Sequence, residues 1–468
     1  MTRSKHFAAL ACLILALFAA APARSAAIRA GSSPAAAATP SPSIRAVGDR
    51  MPMPEGDAVV RPSDVATPER KVTAYTLPPE LYAKARNLAT IEDRLYLIDI
   101  AWSIAALLII LRARLAPKIR DAAERITQNH FLQAAIFAPA LLITLDILQL
   151  PPALCGHWLS RSYGLSVQGW KSWARDWALN ELLVSSLAIL LVWILYVLIR
   201  RSPRRWWFHF WLAALPIMLF IFFVSPWVIE PLFDKFEPLQ LHHPELVLKL
   251  EQVVQRGGMT IPPDRMFAMN ASAKVTELNA YVTGFGASKR VVVWDTTMAK
   301  MNTPQIAAVF GHEMGHYVLH HISKGLIFFA LLLLLFFYLA RVISGRIIRR
   351  RGLGLGIRGE DDWASLPVFL LVLTLLSFPA TPLANAFTRN QEHQADIYAL
   401  EVTHGLNPDS SQVAAQMFQI LGEVDLDDPD PSALVRFWLY SHPSIGDRVD
   451  LALHYQPWDN GQSPRFVK

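Results

Sequence analysis

Cysteine is nearly missing from this 468-residue chain, which holds only Cys12 and Cys155. Cys12 falls in a stretch that reads as a targeting segment, so a processed chain keeps Cys155 alone and forms no intrachain disulfide. Two cysteines also exclude a cysteine-rich zinc site. No histidine motif frames Cys155, so a catalytic thiol has no support there, and His157 beside it reads as incidental. Charge is scarce as well. Only 18% of the residues are charged, against 53% hydrophobic. That is too apolar for an ordinary soluble protein of this length, and the excess falls in blocks of membrane-spanning size. The net charge of +6 has no basic helix or aromatic-basic platform behind it. Nucleic acid is therefore not an expected partner.

Residues Met1–Ala27 read as a secretory signal: Arg3 and Lys5, then the apolar stretch Phe7–Ala20, then the small residues Ala21-Pro22-Ala23 and Ser25-Ala26-Ala27. The alternative is an uncleaved first membrane helix. Residues 28–75 are rich in Ala, Pro and Ser and read as a flexible tether. Six apolar blocks follow: Leu95–Leu111, Phe131–Leu150, Leu182–Ile199, Trp206–Val228, Ile322–Ile343 and Leu366–Phe387. Each is near the roughly 20 residues that cross a bilayer. Asp99, Asp146, His209 and Pro379 interrupt them, as residues facing a bundle interior or a watery cavity do. The sequence thus divides into an N-terminal membrane domain of four spans, residues 76–228, and a polar domain, residues 229–468, interrupted by a helical pair at 322–343 and 366–387.

The linkers differ in charge. Residues 112–130, 200–205 and 341–365 carry 5, 4 and 6 basic side chains, whereas the longer linker 151–181 carries 3. Alternation of the spans puts the three basic linkers on one side, and charge bias makes that side cytoplasmic. The two polar regions, 229–321 and 388–468, then share the other side and must meet. In the first of them Glu245–Arg256 has the pattern of an amphipathic helix. Ala280–Gly284 and Arg290–Trp294 alternate like the arms of a β-hairpin, with Gly284, Gly286 and Ser288 between them.

The chemistry centres on His312-Glu313-Met314-Gly315-His316, within a helical pattern over Thr303–His321. On a helix, positions four apart share a face. Two imidazoles so placed can bind one zinc ion, with the intervening glutamate in reach of the metal's water. Zinc lowers the pKa of such a water to about 7. Glu313 would take its proton and pass it to the leaving amine. A catalytic zinc needs a third protein ligand and an open position. The stretch Arg389-Asn390-Gln391-Glu392-His393-Gln394-Ala395-Asp396 offers candidates. Glu392 and Asp396 share a helix face, so one could bind the metal while the other holds a ligand histidine by its second ring nitrogen. His393 competes with Glu392, but it points roughly 100° away around the helix, so both cannot serve. His320 and His321 mark the end of the zinc helix, and His242 and His243 lie in a polar loop; none is assigned to metal.

These motifs resemble the type 1 CAAX prenyl protease family of membrane metallopeptidases, whose relatives include the HtpX heat-shock proteases. The resemblance rests on Asn279-Ala280-Tyr281-Val282-Thr283-Gly284, Gly311-His312-Glu313-Met314-Gly315-His316, Arg389 to Asp396, and His442-Pro443-Ser444 with Arg448. Their order, with a membrane hairpin between the zinc helix and the glutamate, spans about residues 75–455. The resemblance implies a mainly α multi-pass bundle with a zincin-like metalloprotease domain containing a small β-hairpin or sheet. It implies one zinc ion per chain held by His312, His316 and Glu392, with Asp396 as the partner of a ligand. It implies catalytic roles for Glu313, His442 and Arg448, the last two stabilising the oxyanion or orienting the site. Asn279 and Ala280 would lie on the strand that pairs with an extended substrate.

The signal-like start and the charge bias depart from the eukaryotic prenyl proteases. They point to a bacterial inner membrane with the catalytic domain on the periplasmic side; the resemblance supports the reaction and does not extend to a farnesylated substrate. The expected partners are a polypeptide substrate and the lipid bilayer; the sequence leaves the oligomeric state open. A transporter or a silent membrane scaffold also fits six spans. Neither accounts for a complete zinc constellation with a general base beside it.

Overall fold

The computed structural model describes residues 71–467 apart from 285–288 and 408. The targeting segment, most of the tether, and Gly286 and Ser288 of the hairpin turn lie outside the described residues. All six apolar blocks are helices of membrane-spanning length and composition. The first four are α1 (Pro79–Arg112), α3 (His130–Ser162), α4 (Trp170–Arg201) and α5 (Trp206–Val224), with the short amphipathic α2 (Leu115–Ile126) between the first two. Most helices outlast the apolar block that announced them, because polar flanking residues cap and continue them. Asn129, for example, starts α3 by accepting hydrogen bonds from the backbone N–H groups of Phe131 and Leu132, a cap of about 1 kcal/mol. Phe137, Tyr196, Phe210, Phe337 and Phe369 fill the bundle's core.

The three basic linkers meet at one end of the bundle. Arg114 donates to the Gly354 carbonyl and Arg120 to that of Gly356. Arg358 pairs with Glu124 at 2.8 Å, and Arg200 donates to the Asp361 carbonyl. At the other end the linker after α3 joins the polar domain. Ser166 bridges Val275, and Lys274 lies 2.8 Å from Asp176 at the start of α4. Residues 71–77 lie on this same end, where Val72 exchanges hydrogen bonds with the Gln412 side chain.

The polar domain holds β1 (Phe236–Pro238), α6 (Pro244–Arg256), β2 (Met266–Met269), β3 (Ala280–Thr283) and β4 (Arg290–Trp294). The expected hairpin is present: β3 and β4 run antiparallel with Ala280 opposite Val293. It is half of a four-stranded mixed sheet of order β1-β2-β4-β3, in which β2 joins β4 in parallel. The two extra strands were illegible because β1 is three residues long and β2, Met-Phe-Ala-Met, carries no β-branched residue. β3 is an edge strand, yet all four of its residues are buried, since a helix packs along it.

After the short α7 (Asp295–Lys300) come that helix, α8 (Thr303–Val318), and the two long helices α9 (His321–Leu355) and α10 (Leu366–Thr403). α8 ends three residues before the pattern suggested. His320 adopts a left-handed backbone conformation, φ 57°, which breaks the helix and starts α9 in a new direction. α10 is unbroken for 38 residues, about 57 Å at 1.5 Å per residue. It crosses the apolar bundle and continues into the polar domain. The chain closes with α11 (Ser410–Val424), α12 (Ala433–Leu439) and α13 (Ile445–His454).

Candidate active site

α8 is fixed at its start by a reciprocal cap. The Asn302 side chain accepts from the Gln305 N–H, and the Gln305 side chain accepts from the Asn302 N–H, both at 3.0 Å. Its other end lies close against α10, and two glycines allow this. A Cβ at Gly311 would meet Val402 at 3.0 Å; one at Gly315 would meet Tyr398 at 3.1 Å and the Ala395 backbone at 3.2 Å. Backbones this close bring the residues after each glycine, His312 and His316, onto the α10 residues that face them.

There the polar atoms converge. The Nε2 atoms of His312 and His316 are 3.1 Å apart. Glu392 Oε2 lies 3.2 Å from the first and 3.6 Å from the second. All three side chains are buried. A tetrahedral metal with bonds of about 2.0–2.1 Å has ligand edges of about 3.3–3.4 Å, so this triangle fits one ion and leaves a fourth position open. His393, the alternative ligand, is exposed on the far side of α10.

Each histidine also has a partner for its other nitrogen. His312 Nδ1 lies 2.7 Å from Asp396 Oδ1. Arg448, buried on α13, donates to both oxygens of Asp396, at 2.6 and 2.9 Å, and stacks over Phe418. Burial opposes protonation of His312, but Asp396 and then Glu392 outweigh it and hold its pKa above the ordinary imidazole value. Arg448 thus braces Asp396 with two of its nitrogens, and it also lines the cavity beside the cluster. His442, in the turn before α13, has Nε2 3.3 Å from Glu392 Oε2, and its Nδ1 meets the Ser441 hydroxyl at 2.8 Å. Ser444 caps α13 two residues later and so fixes that turn.

A small cavity opens beside the cluster, lined by Asn279, Val309, His312, Glu313 and Arg448. Glu313 is fully buried at its wall. Asn279 immediately precedes β3, with its backbone N–H and carbonyl held by Thr297 and its carbonyl also by Trp294. Ala280 begins the strand and is wholly buried. The structure therefore brings His312, Glu313, His316, Glu392, Asp396, His442 and Arg448 together around one triangle and its cavity, with Asn279 on the cavity wall and Ala280 next to it along the chain.

Two features escaped the sequence reading. His321, read as marking the end of a helix, has its ring against His316. Glu230, at the end of the fourth span, accepts from Tyr281 on β3 at 2.9 Å and from Arg290 on β4 at 2.7 Å, tying the sheet to the bundle. Nothing local announces either contact, because both join residues whose meeting depends on a turn or on tertiary packing.

Two family models match the chain: "CAAX prenyl protease N-terminal, five membrane helices" over residues 64–235, and "Peptidase family M48" over residues 240–456. The chain is 34% identical to the uncharacterized metalloprotease YhfN of Bacillus subtilis over 397 residues, 85% of this chain and 91% of that one. It is 24% identical to CAAX prenyl protease 1 of Saccharomyces cerevisiae, across 82% of this chain and 90% of that protein. The crystal structure of S. mikatae Ste24p shares its fold, with a TM-score of 0.69 at 24% identity, covering 81% of this chain and 89% of the other.

Proposed function

The chain belongs to peptidase family M48 and is a multi-pass membrane metalloprotease, and from that premise we propose a zinc endopeptidase that cleaves membrane-associated or unfolded polypeptides, with Glu313 as its base. The observation that carries this reading is the buried triangle of His312, His316 and Glu392, with Glu313 on the wall of the adjoining cavity. Two imidazoles and one carboxylate with an open position suit zinc, whereas magnesium and calcium favour all-oxygen sets. Bound there, zinc supplies Lewis acidity to the scissile carbonyl and to the attacking water.

This chain's own residues do the rest. The Glu313 carboxylate accepts a proton from the water as it attacks, and returns it to the departing amide nitrogen. His442 donates toward the oxygen on which negative charge develops. Arg448 holds Asp396, and Asp396 holds His312 by Nδ1, leaving Nε2 for the metal. The edge strand that begins at Ala280 pairs with the extended substrate backbone, with Asn279 beside it on the cavity wall. Such a protease, purified in detergent, should lose peptide cleavage on metal chelation and regain it on adding zinc. Cleavage that persists after metal analysis shows the ion gone would refute the proposal.

We further propose a bacterial inner membrane with the catalytic domain facing the periplasm. The three arginine-rich linkers that meet at one bundle end support it, since basic side chains in short linkers resist translocation. A membrane-impermeant thiol reagent tests this in a background carrying Cys12→Ser and Cys155→Ser. Ser463→Cys, exposed near the C-terminus, should label in intact cells. Gly354→Cys, exposed with open space around its Cβ position, should label only after lysis. Labelling of Gly354→Cys from outside would invert the orientation and leave the chemistry untouched.

A further inference from the structure

His321 is a buried side chain for which neither the family motifs nor the mechanism above has a use. Its Nδ1 lies 3.1 Å from His316 Nδ1, on the side of that ring opposite the ligand triangle. The two rings meet edge to face, 5.1 Å between centroids and 72° between planes. Both side chains are buried. We propose that His321 is the positioning residue for His316: its Nδ1 accepts the Nδ1–H of His316, which fixes that tautomer and leaves Nε2 free to bind the metal. This rests on the reading of His316 as a ligand.

The backbone is arranged to make the contact. In an unbroken helix a residue five positions on is rotated about 140° from His316 and cannot reach it. The left-handed turn at His320 redirects the chain and brings residue 321 back against the end of α8. The new position is tied down from α10, where Gln391 donates to the His321 carbonyl at 3.3 Å. Gln391 is the neighbour of Glu392, so one short segment of α10 steadies two groups of the site.

The pattern matches the other ligand histidine. His312 has Asp396 on its Nδ1, and ligand imidazoles generally give their second nitrogen to such an acceptor. The difference between a carboxylate and a neutral imidazole follows from the charges present. A divalent ion with Arg448 balances Glu313, Glu392 and Asp396. A further carboxylate at residue 321 would leave buried negative charge uncompensated, while an imidazole accepts the same proton at no net charge.

The test is zinc affinity, measured for the full-length protein in detergent by competition with a chromophoric chelator. His321→Leu, which removes the acceptor, should weaken zinc binding about 10–100-fold. His321→Asn, whose side-chain oxygen can occupy the place of Nδ1, should recover most of the loss. His321→Gln, whose oxygen lies farther out, should not. Cobalt-substituted protein gives a second readout: the ligand-field spectrum should match wild type for Asn and change for Leu and Gln. Should the Leu variant fail to fold, the Asn and Gln pair decides. Equal affinities and identical cobalt spectra for that pair would overturn the proposal, as would wild-type affinity in His321→Leu. His316→Ala separates this from the underlying reading. Undiminished zinc in His316→Ala would remove His316 as a ligand, whereas zinc lost there but unaffected at residue 321 would dismiss His321 alone.

Discussion

Replacing Glu313 by glutamine should abolish peptide hydrolysis while leaving metal and fold in place. The two side chains are nearly the same size, and Glu313 is buried against α8's own neighbours, so the swap creates neither a cavity nor a clash. The ligand triangle is untouched, because its atoms come from His312, His316 and Glu392. What changes is basicity. An amide oxygen can hold the attacking water but cannot take its proton, and loss of a general base costs at least about a hundredfold in rate. The checks are metal content and melting temperature, both expected at wild-type values, and turnover of a fluorogenic peptide. Near-normal turnover would take Glu313 out of the mechanism.

The second large effect separates two adjacent residues. Glu392→Ala should strip the protein of its metal, with a loss of affinity beyond the about 10–100-fold that removal of a ligand's outer partner costs. His393→Ala should change metal content little. The contrast follows from the face of α10 each side chain occupies: Glu392 Oε2 lies 3.2 and 3.6 Å from the two imidazole nitrogens, while His393 is exposed to solvent. Elemental analysis of the two purified variants decides it. Full metal in Glu392→Ala together with loss in His393→Ala would mean that the third ligand has been misassigned.

How far the sequence reached depends on whether a feature is periodic or positional. The membrane helices were legible because apolar blocks of that length have few other solutions in water or lipid. The two histidines and Glu392 with Asp396 were legible because spacing by four is local to one helix. The hairpin was legible from β-branched residues at Val282 and Val291–Val293. β2 was not, since Met266–Met269 is a strand by virtue of lying beside β4 rather than by its own propensity. The break at His320 was hidden for a different reason. No glycine or proline announces a left-handed residue there, so the helical pattern reads straight through it to His321. The pairing of Arg448 with Asp396 was likewise unreadable, because α13 and α10 are separated by the whole of α11 and α12.

The long insertion between the two halves of the site sets the order in which it can come into being. His312 and His316 precede α9, and Glu392 follows the membrane-crossing part of α10. Every contiguous stretch of chain that contains the three proposed ligands therefore contains both of these helices. A nascent chain that has emerged only as far as α8 carries two imidazoles and the base but no third ligand. The set becomes complete only when the hairpin has been threaded into the bilayer and brought back. Completion of the proposed ligand set therefore waits on both helices of the membrane hairpin. By the same topology, no cut that sheds a water-soluble piece of the chain can release a working active site.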